Sequence, residues 1–220
     1  MKEISPRLAE LLQWVPQDSC LIDIGCDHGW LPIYALSTGR ITQAIAVDRA
    51  QAPLDLAQQH AQGLSSISFV LSDGLDAVDV PENSVVNIAG MGGLQMRSIL
   101  ERAPLHKIER LLLQPNRDGH ILRSWLAQQG WYTSQASVVQ ENGRFFLSWC
   151  AQRSDAGFSS PAEEQWHWQE PWFVEHSSSL FQSWLHDRLL QIHKTQKKHN
   201  HPEPLQKEAD AIAMFLERLG

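Results

Sequence analysis

The chain has 220 residues, 43% of them hydrophobic, with 18 Lys plus Arg against 25 Asp plus Glu and a net charge of −7. That suffices for one full core and a smaller appendage, and the overall acidity argues against nucleic-acid binding by the surface as a whole. Three scattered cysteines, Cys20, Cys26 and Cys150, supply neither a zinc spacing nor a disulfide framework. With no signal peptide and no stretch long enough to span a membrane, a reducing, cytoplasmic setting is the expectation.

An amphipathic helix is expected over Pro6–Trp14, with Ser5 as its N-cap and Pro6 in its first turn. The first strand, Cys20–Gly25, runs into Gly25-Cys26-Asp27-His28-Gly29 and a helix from Trp30 to Leu36. Strand, glycine turn and helix are the first half of a βαβ nucleotide-binding unit, whose open helix start suits a ligand. The second strand is Gln43–Asp48, with a helix from Pro53 to Gln62, and the third is Ile67–Leu71, ending at Ser72-Asp73-Gly74. The fourth, Ser84–Ala89, meets Gly90-Met91-Gly92-Gly93 and a helix from Leu94 to Arg102. The fifth, Arg110–Gln114, meets Pro115-Asn116 and a helix from Gly119 to Gln129. Tyr132–Gln140 and Arg144–Ala151 flank Asn142-Gly143, which marks a hairpin. Five alternating β/α units closed by an antiparallel hairpin describe an α/β, doubly wound, mostly parallel seven-stranded sheet with an antiparallel edge strand.

Small polar residues at 154–160 read as a linker, dividing a first domain, 1–153, from a second, 161–220. Beyond the linker, Trp166, Trp168, Trp172 and Phe173 lead into a helical stretch reaching about Lys198. Leu205, Ala209, Ile212, Leu216 and Leu219 then repeat at four and three, so a small helical hairpin is expected. His186, His193, His199 and His201 read as exposed helix histidines, and no metal site is assigned. Charge is uneven: residues 97–153 hold eight basic and four acidic side chains, whereas 1–96 hold four and eleven. A basic face over an acidic body can still hold phosphates, and Arg97, Arg117 and Arg123 are its candidate contacts.

Ligands of such sheets bind at the carboxyl ends of the strands. There Asp48 suits ribose hydroxyls, Asp73-Gly74 an exocyclic amine, and the three glycines of Gly90-Met91-Gly92-Gly93 an open backbone beside the reacting centre. Asn116 offers an amide that donates and accepts at once. Each residue also has an ordinary structural explanation as a cap or strand end; four strand ends all suited to adenosine are harder to explain that way.

The loop after the first strand resembles the acidic-x-Gly-x-Gly-x-Gly loop of class I methyltransferases, with Asp23 as the acid and Asp27 in place of the middle glycine. DIGCDHGWLP at 23–32, Asp73-Gly74-Leu75, IAGMGG at 88–93, LLLQPN at 111–116 and Arg123-Ser124-Trp125-Leu126 together resemble the bacterial tRNA (adenine-22-N1)-methyltransferase family. The resemblance covers residues 5–151 and implies a Rossmann-like fold, S-adenosylmethionine as cofactor and tRNA as partner. It implies cofactor contacts at Asp23, Gly25, Cys26, Asp27, His28, Gly29, Asp48, Arg49, Asp73, Gly74, Ala89, Gly90, Met91 and Gly92. Asp27 and Asn116 then become the candidate catalytic residues. Adenine N1 carries a free lone pair at neutral pH, so its methylation needs alignment more than a strong base. A small-molecule methyltransferase and a non-catalytic adenosine-binding module are the rival readings, with an NAD-dependent oxidoreductase behind them. Oligomeric state stays open, with a monomer as the default.

Overall fold

In the computed structural model, which describes residues 4–153, 178–196 and 203–219, the apolar runs form one mixed sheet. Its strands are β1 Cys20–Ile24, β2 Gln43–Asp48, β3 Ile67–Leu71, β4 Ser84–Gly92, β5 Ile108–Arg117, β6 Trp131–Glu141 and β7 Arg144–Arg153. They lie in the order β3-β2-β1-β4-β5-β7-β6. The first five are parallel, and the hairpin partners β6 and β7 complete that side, β7 pairing antiparallel with both neighbours. Asn142 and Gly143 both take positive φ, 50° and 73°, as a two-residue turn requires to match strand twist.

The helices of this unit are α1 Pro6–Gln13, α2 Trp30–Ser37, α3 Gln51–His60, α4 Gly93–Glu101 and α5 Gly119–Gln128. Side chains alternate across a strand, so Leu112 faces one side of the sheet, and Leu111 and Leu113 the other; all three are fully buried. Leu112 belongs to a cluster with Leu11, Val15, Leu21, Leu31, Ala35 and Ala44, which seats α1 and α2 on its side. On β2, Ala46 shares a face with Ala44 and meets Leu54 of α3. Helices α4 and α5 pack on each other and over β4, β5 and β6. Each fully buried leucine here contributes about 1.5–3 kcal/mol of hydrophobic stabilisation.

Three local expectations are corrected. No helix joins β3 to β4: residues 72–83 cross through turns, so the β/α alternation is interrupted once. Strands β4 and β5 continue into the stretches read as loops, reaching Gly92 and Arg117, because those stretches pair with each other through a bulge. Ser5 stands at the N-cap of α1, but its buried hydroxyl makes no capping bond and has no partner among the described residues.

The chain divides into two compact units, 1–160 and 161–220. In the second, α6 (Ser179–Gln196) packs against α7 (Glu203–Leu219) through Phe181, Leu185, Ile192, Ala209, Ile212 and Phe215. Arg188 donates two 2.8 Å hydrogen bonds to Glu208, which is 6% exposed. The expected linker, its following tryptophans, His199 and His201 lie outside the described residues.

Candidate functional site

A cleft of about 200 Å³ opens at the carboxyl ends of β1 to β4. Six expected residues line it: Gly25, Asp48, Arg49, Asp73, Gly74 and Met91. Ile24, Ser72, Gln95 and Ile99 join them and were missed. Ser72 directly precedes an assigned residue and Gln95 lies in the first turn after the GMGG run, so both stood beside a motif without belonging to it.

The glycine loop is held from below. Val47's carbonyl accepts from Gly25 N at 2.8 Å and Cys26 N at 3.0 Å, so those two amides are committed to the sheet rather than free for a ligand. Gly25 has φ +71°, and the Met91 methyl fills the space where a Cβ would stand. Gly29, in the left-handed region as N-cap of α2, comes within 2.9 Å of Ala57 Cβ if given a side chain, so it serves helix packing.

Asp27 also takes a positive φ, 51°, which turns its carboxylate outward; the side chain is 73% exposed and lies 3.7 Å from His28 Nε2. The Asp27 main-chain N–H points to Asp48 Oδ2 at 3.4 Å, and Asp48 Oδ1 accepts from Ala50 N at 3.0 Å. Asp48 therefore stitches the first two strand ends together while keeping lone pairs to accept further hydrogen bonds. Asp73 is 70% exposed and lies 3.2 Å from Arg102, a surface pair too weak to withhold it from a ligand.

Beneath the loop lies Asp23, 5% exposed, accepting a 2.7 Å hydrogen bond from Asn87 Nδ2. Burial pushes its carboxyl up to about 6, against the opposing pull of the Asn87 bond and of Arg7. The neighbouring Asn87 Oδ1 is buried with no partner among the described residues. A desolvated carboxylate beside an unsatisfied carbonyl is an acceptor set suited to an ammonium group. The Cys26 thiol is buried, and burial with three nearby carboxylates raises its pKa far above the ordinary range, so it is no nucleophile.

At the ends of β4 and β5, Ala89 pairs with Gln114, Met91 with Pro115 and Gly92 with Arg117. The GMGG and LQPN stretches thus pair with each other, with register shifts on either side of Met91. Asn116 is exposed, donates to the carbonyl of the bulged Gly90 at 2.7 Å and accepts from Gln114 at 3.0 Å. Asp118, not Asn116, is the N-cap of α5. Gly93 lacks a side chain because a Cβ there would come within 2.6 Å of the Asp118 carbonyl carbon.

The basic candidates part company. Arg117 is 80% exposed beside Asp118, and Arg97 is half-exposed in an i,i+4 pair with Glu101 at 2.7 Å. Arg123 is only 3% exposed, on the buried side of α5 with Leu122 and Leu126, and so is not part of the exposed basic face. Its charge had marked it as surface; its helical phase places it inside. Among the described residues no three His, Cys, Asp or Glu side chains converge on a metal position.

An open sheet of order 3-2-1-4-5-7-6 with a cleft at its carboxyl edge has the Rossmann-like architecture of methyltransferase domains. A family profile described as "Methyltransferase domain" matches residues 4–147, and the chain belongs to that family. It is 32% identical over 158 residues to the tRNA (adenine(22)-N(1))-methyltransferase of Bacillus subtilis strain 168, covering 70% of this chain and 66% of that protein. Among solved structures, Streptococcus pneumoniae Sp1610, a candidate tRNA (m1A22) methyltransferase in complex with S-adenosyl-L-methionine, superposes with a TM-score of 0.84. It is 29% identical and is matched over 97% of this chain and all of its own. The B. subtilis M1A22 tRNA methyltransferase TrmK gives 0.77 at 26% identity, over 99% and 97% of the two chains.

Proposed function

We propose that this protein transfers a methyl group from S-adenosylmethionine to ring N1 of an adenine in tRNA, position 22 in the names of its relatives. The observation that carries the reading is the convergence of Gly25, Asp48, Asp73 and Met91 on one cleft, with Asp27 and Asn116 exposed at the ends of the same sheet. The cofactor, when bound, supplies the activated methyl. Asp23 and Asn87 would hold its ammonium, Asp48 its ribose hydroxyls and Asp73 its adenine amine. Asp27 then faces the base being modified. N1 methylation places positive charge on the purine, and a carboxylate there stabilises that charge or accepts a proton from N6. Asn116 supplies a second polar contact. Because N1 lies on the pairing edge, the target must be unpaired or turned out of its stack. Arg117 and Arg97 supply phosphate contacts.

The test is transfer of labelled methyl to bulk tRNA from cells lacking the modification, run beside free adenosine and unrelated RNA. Label confined to tRNA supports the reading. Label on free nucleoside at an equal rate returns the protein to the small-molecule class.

A further inference from the structure

A chain of hydrogen bonds runs from α1 to the bulge at the end of β4. Arg7 Nη1 donates to Gln114 Oε1 at 3.4 Å, Gln114 Nε2 to Asn116 Oδ1 at 3.0 Å, and Asn116 Nδ2 to the Gly90 carbonyl at 2.7 Å. Its two ends have fixed polarity, since a guanidinium only donates and a peptide carbonyl only accepts. A lone side-chain amide can be placed either way round. Between a donor-only and an acceptor-only terminus, a single orientation of both amides satisfies all three bonds. Reversing either amide breaks two of them.

The chain is anchored at its origin. Arg7 donates its main-chain N–H to Glu141 Oε2 at 3.3 Å, holds its Nε 3.9 Å from Glu141 Oε1, and lies 5.5 Å over the Phe146 ring. Gln114 is 1% exposed, so a mispaired amide there would leave buried polar atoms unsatisfied. Asn116, by contrast, is exposed and keeps one amide hydrogen and one Oδ1 lone pair unused by the chain.

We propose that Arg7 and Gln114 are positioning residues for methyl transfer. They lock the Asn116 amide in one orientation, so that its spare hydrogen and spare lone pair meet the purine in fixed places. The proposal rests on the reading of Asn116 as an adenine contact. The N1 lone pair attacks the methyl group and must stay free of hydrogen bonds, whereas adenine's N6 amino group donates and its N7 accepts. A reversed amide would therefore offer a donor where an acceptor is needed. A glutamate at position 114 would keep the partner of Arg7 but could not donate to Asn116, which explains why the buried position holds an amide.

The variant Gln114→Glu isolates this polarity, because it preserves size and the bond to Arg7. Turnover of tRNA should fall roughly tenfold, the scale of one lost hydrogen bond at the reacting base. S-adenosylhomocysteine affinity should stay within about twofold, which separates the turnover loss from any fall in melting temperature caused by the unpaired buried carboxylate oxygen. Combined with Asn116→Ala, the loss should be no larger than in Asn116→Ala alone. A scalar coupling across the Asn116 N–H to Gly90 carbonyl bond should be seen by NMR in the free wild-type protein and vanish in Gln114→Glu. No such coupling in the wild type, wild-type turnover in Gln114→Glu, or losses that multiply in the double variant would overturn the proposal. A wild type that shows the coupling but leaves tRNA unmethylated would support the lock while overturning the tRNA reading, so the two failures are told apart.

Discussion

Asp27 stands where the glycine loop of this fold ordinarily has no side chain, and its left-handed backbone turns that side chain toward solvent. If the carboxylate acts on the base, Asp27→Ala should lower turnover by about 10²–10⁴-fold while S-adenosylhomocysteine affinity stays nearly intact. Asp27→Asn keeps the shape without the charge and should recover little; near-wild-type rates in that variant would contradict a charge-based role. Asp23 makes a different prediction. Its carboxyl, raised to about 6 from an ordinary 3.8, keeps a proton in the folded state that the unfolded chain has already released. Its contribution to stability therefore falls as pH rises through that window and is constant above it. Denaturant titrations should show Asp23→Asn gaining on the wild type from pH 4 to 7, by up to about 3 kcal/mol. A bound ammonium favours the carboxylate, so wild-type affinity for S-adenosylhomocysteine should rise between pH 5 and 7 and that of Asp23→Asn should rise less. A flat wild-type profile would remove Asp23 from the ammonium site.

At the scale of elements, the parallel strands, the Asn-Gly hairpin and the helical pair could be read from apolar runs and their punctuation, because each depends on neighbours in sequence. What could not be read depends on distant contacts. The GMGG and LQPN stretches look like loops alone and become strand only by pairing with each other. Arg123 and Arg117 carry the same charge, but one faces the core and the other projects from a strand end. Arg7 reaches Gln114 across 107 positions, which no local pattern announces. The glycines of GMGG were read as clearance for a ligand; Gly93 instead makes room for the turn between β5 and α5. Gly93→Ala should accordingly destabilise the fold by about 1–3 kcal/mol, the usual cost of overpacking. An unchanged denaturation midpoint would show that the turn can give way.

Over the whole molecule, the tRNA reading proposed above requires a chain of net charge −7 to meet RNA through a local surface rather than its overall field. Arg117 is an exposed cation at the end of β5, whereas Arg188 is tied to Glu208 within the helical pair. Affinity for tRNA should fall steeply with salt, and Arg117→Ala should reduce the slope of log affinity against log salt by about one. An unchanged slope would move the phosphate contacts off this end of the sheet. The central claim is tested most directly by where the methyl group goes. An unmodified tRNA transcript incubated with the protein and S-adenosylmethionine, digested and resolved by mass spectrometry, should yield 1-methyladenosine from a single site. Methyl found on N6, on a carbon, or on no nucleoside at all would contradict it.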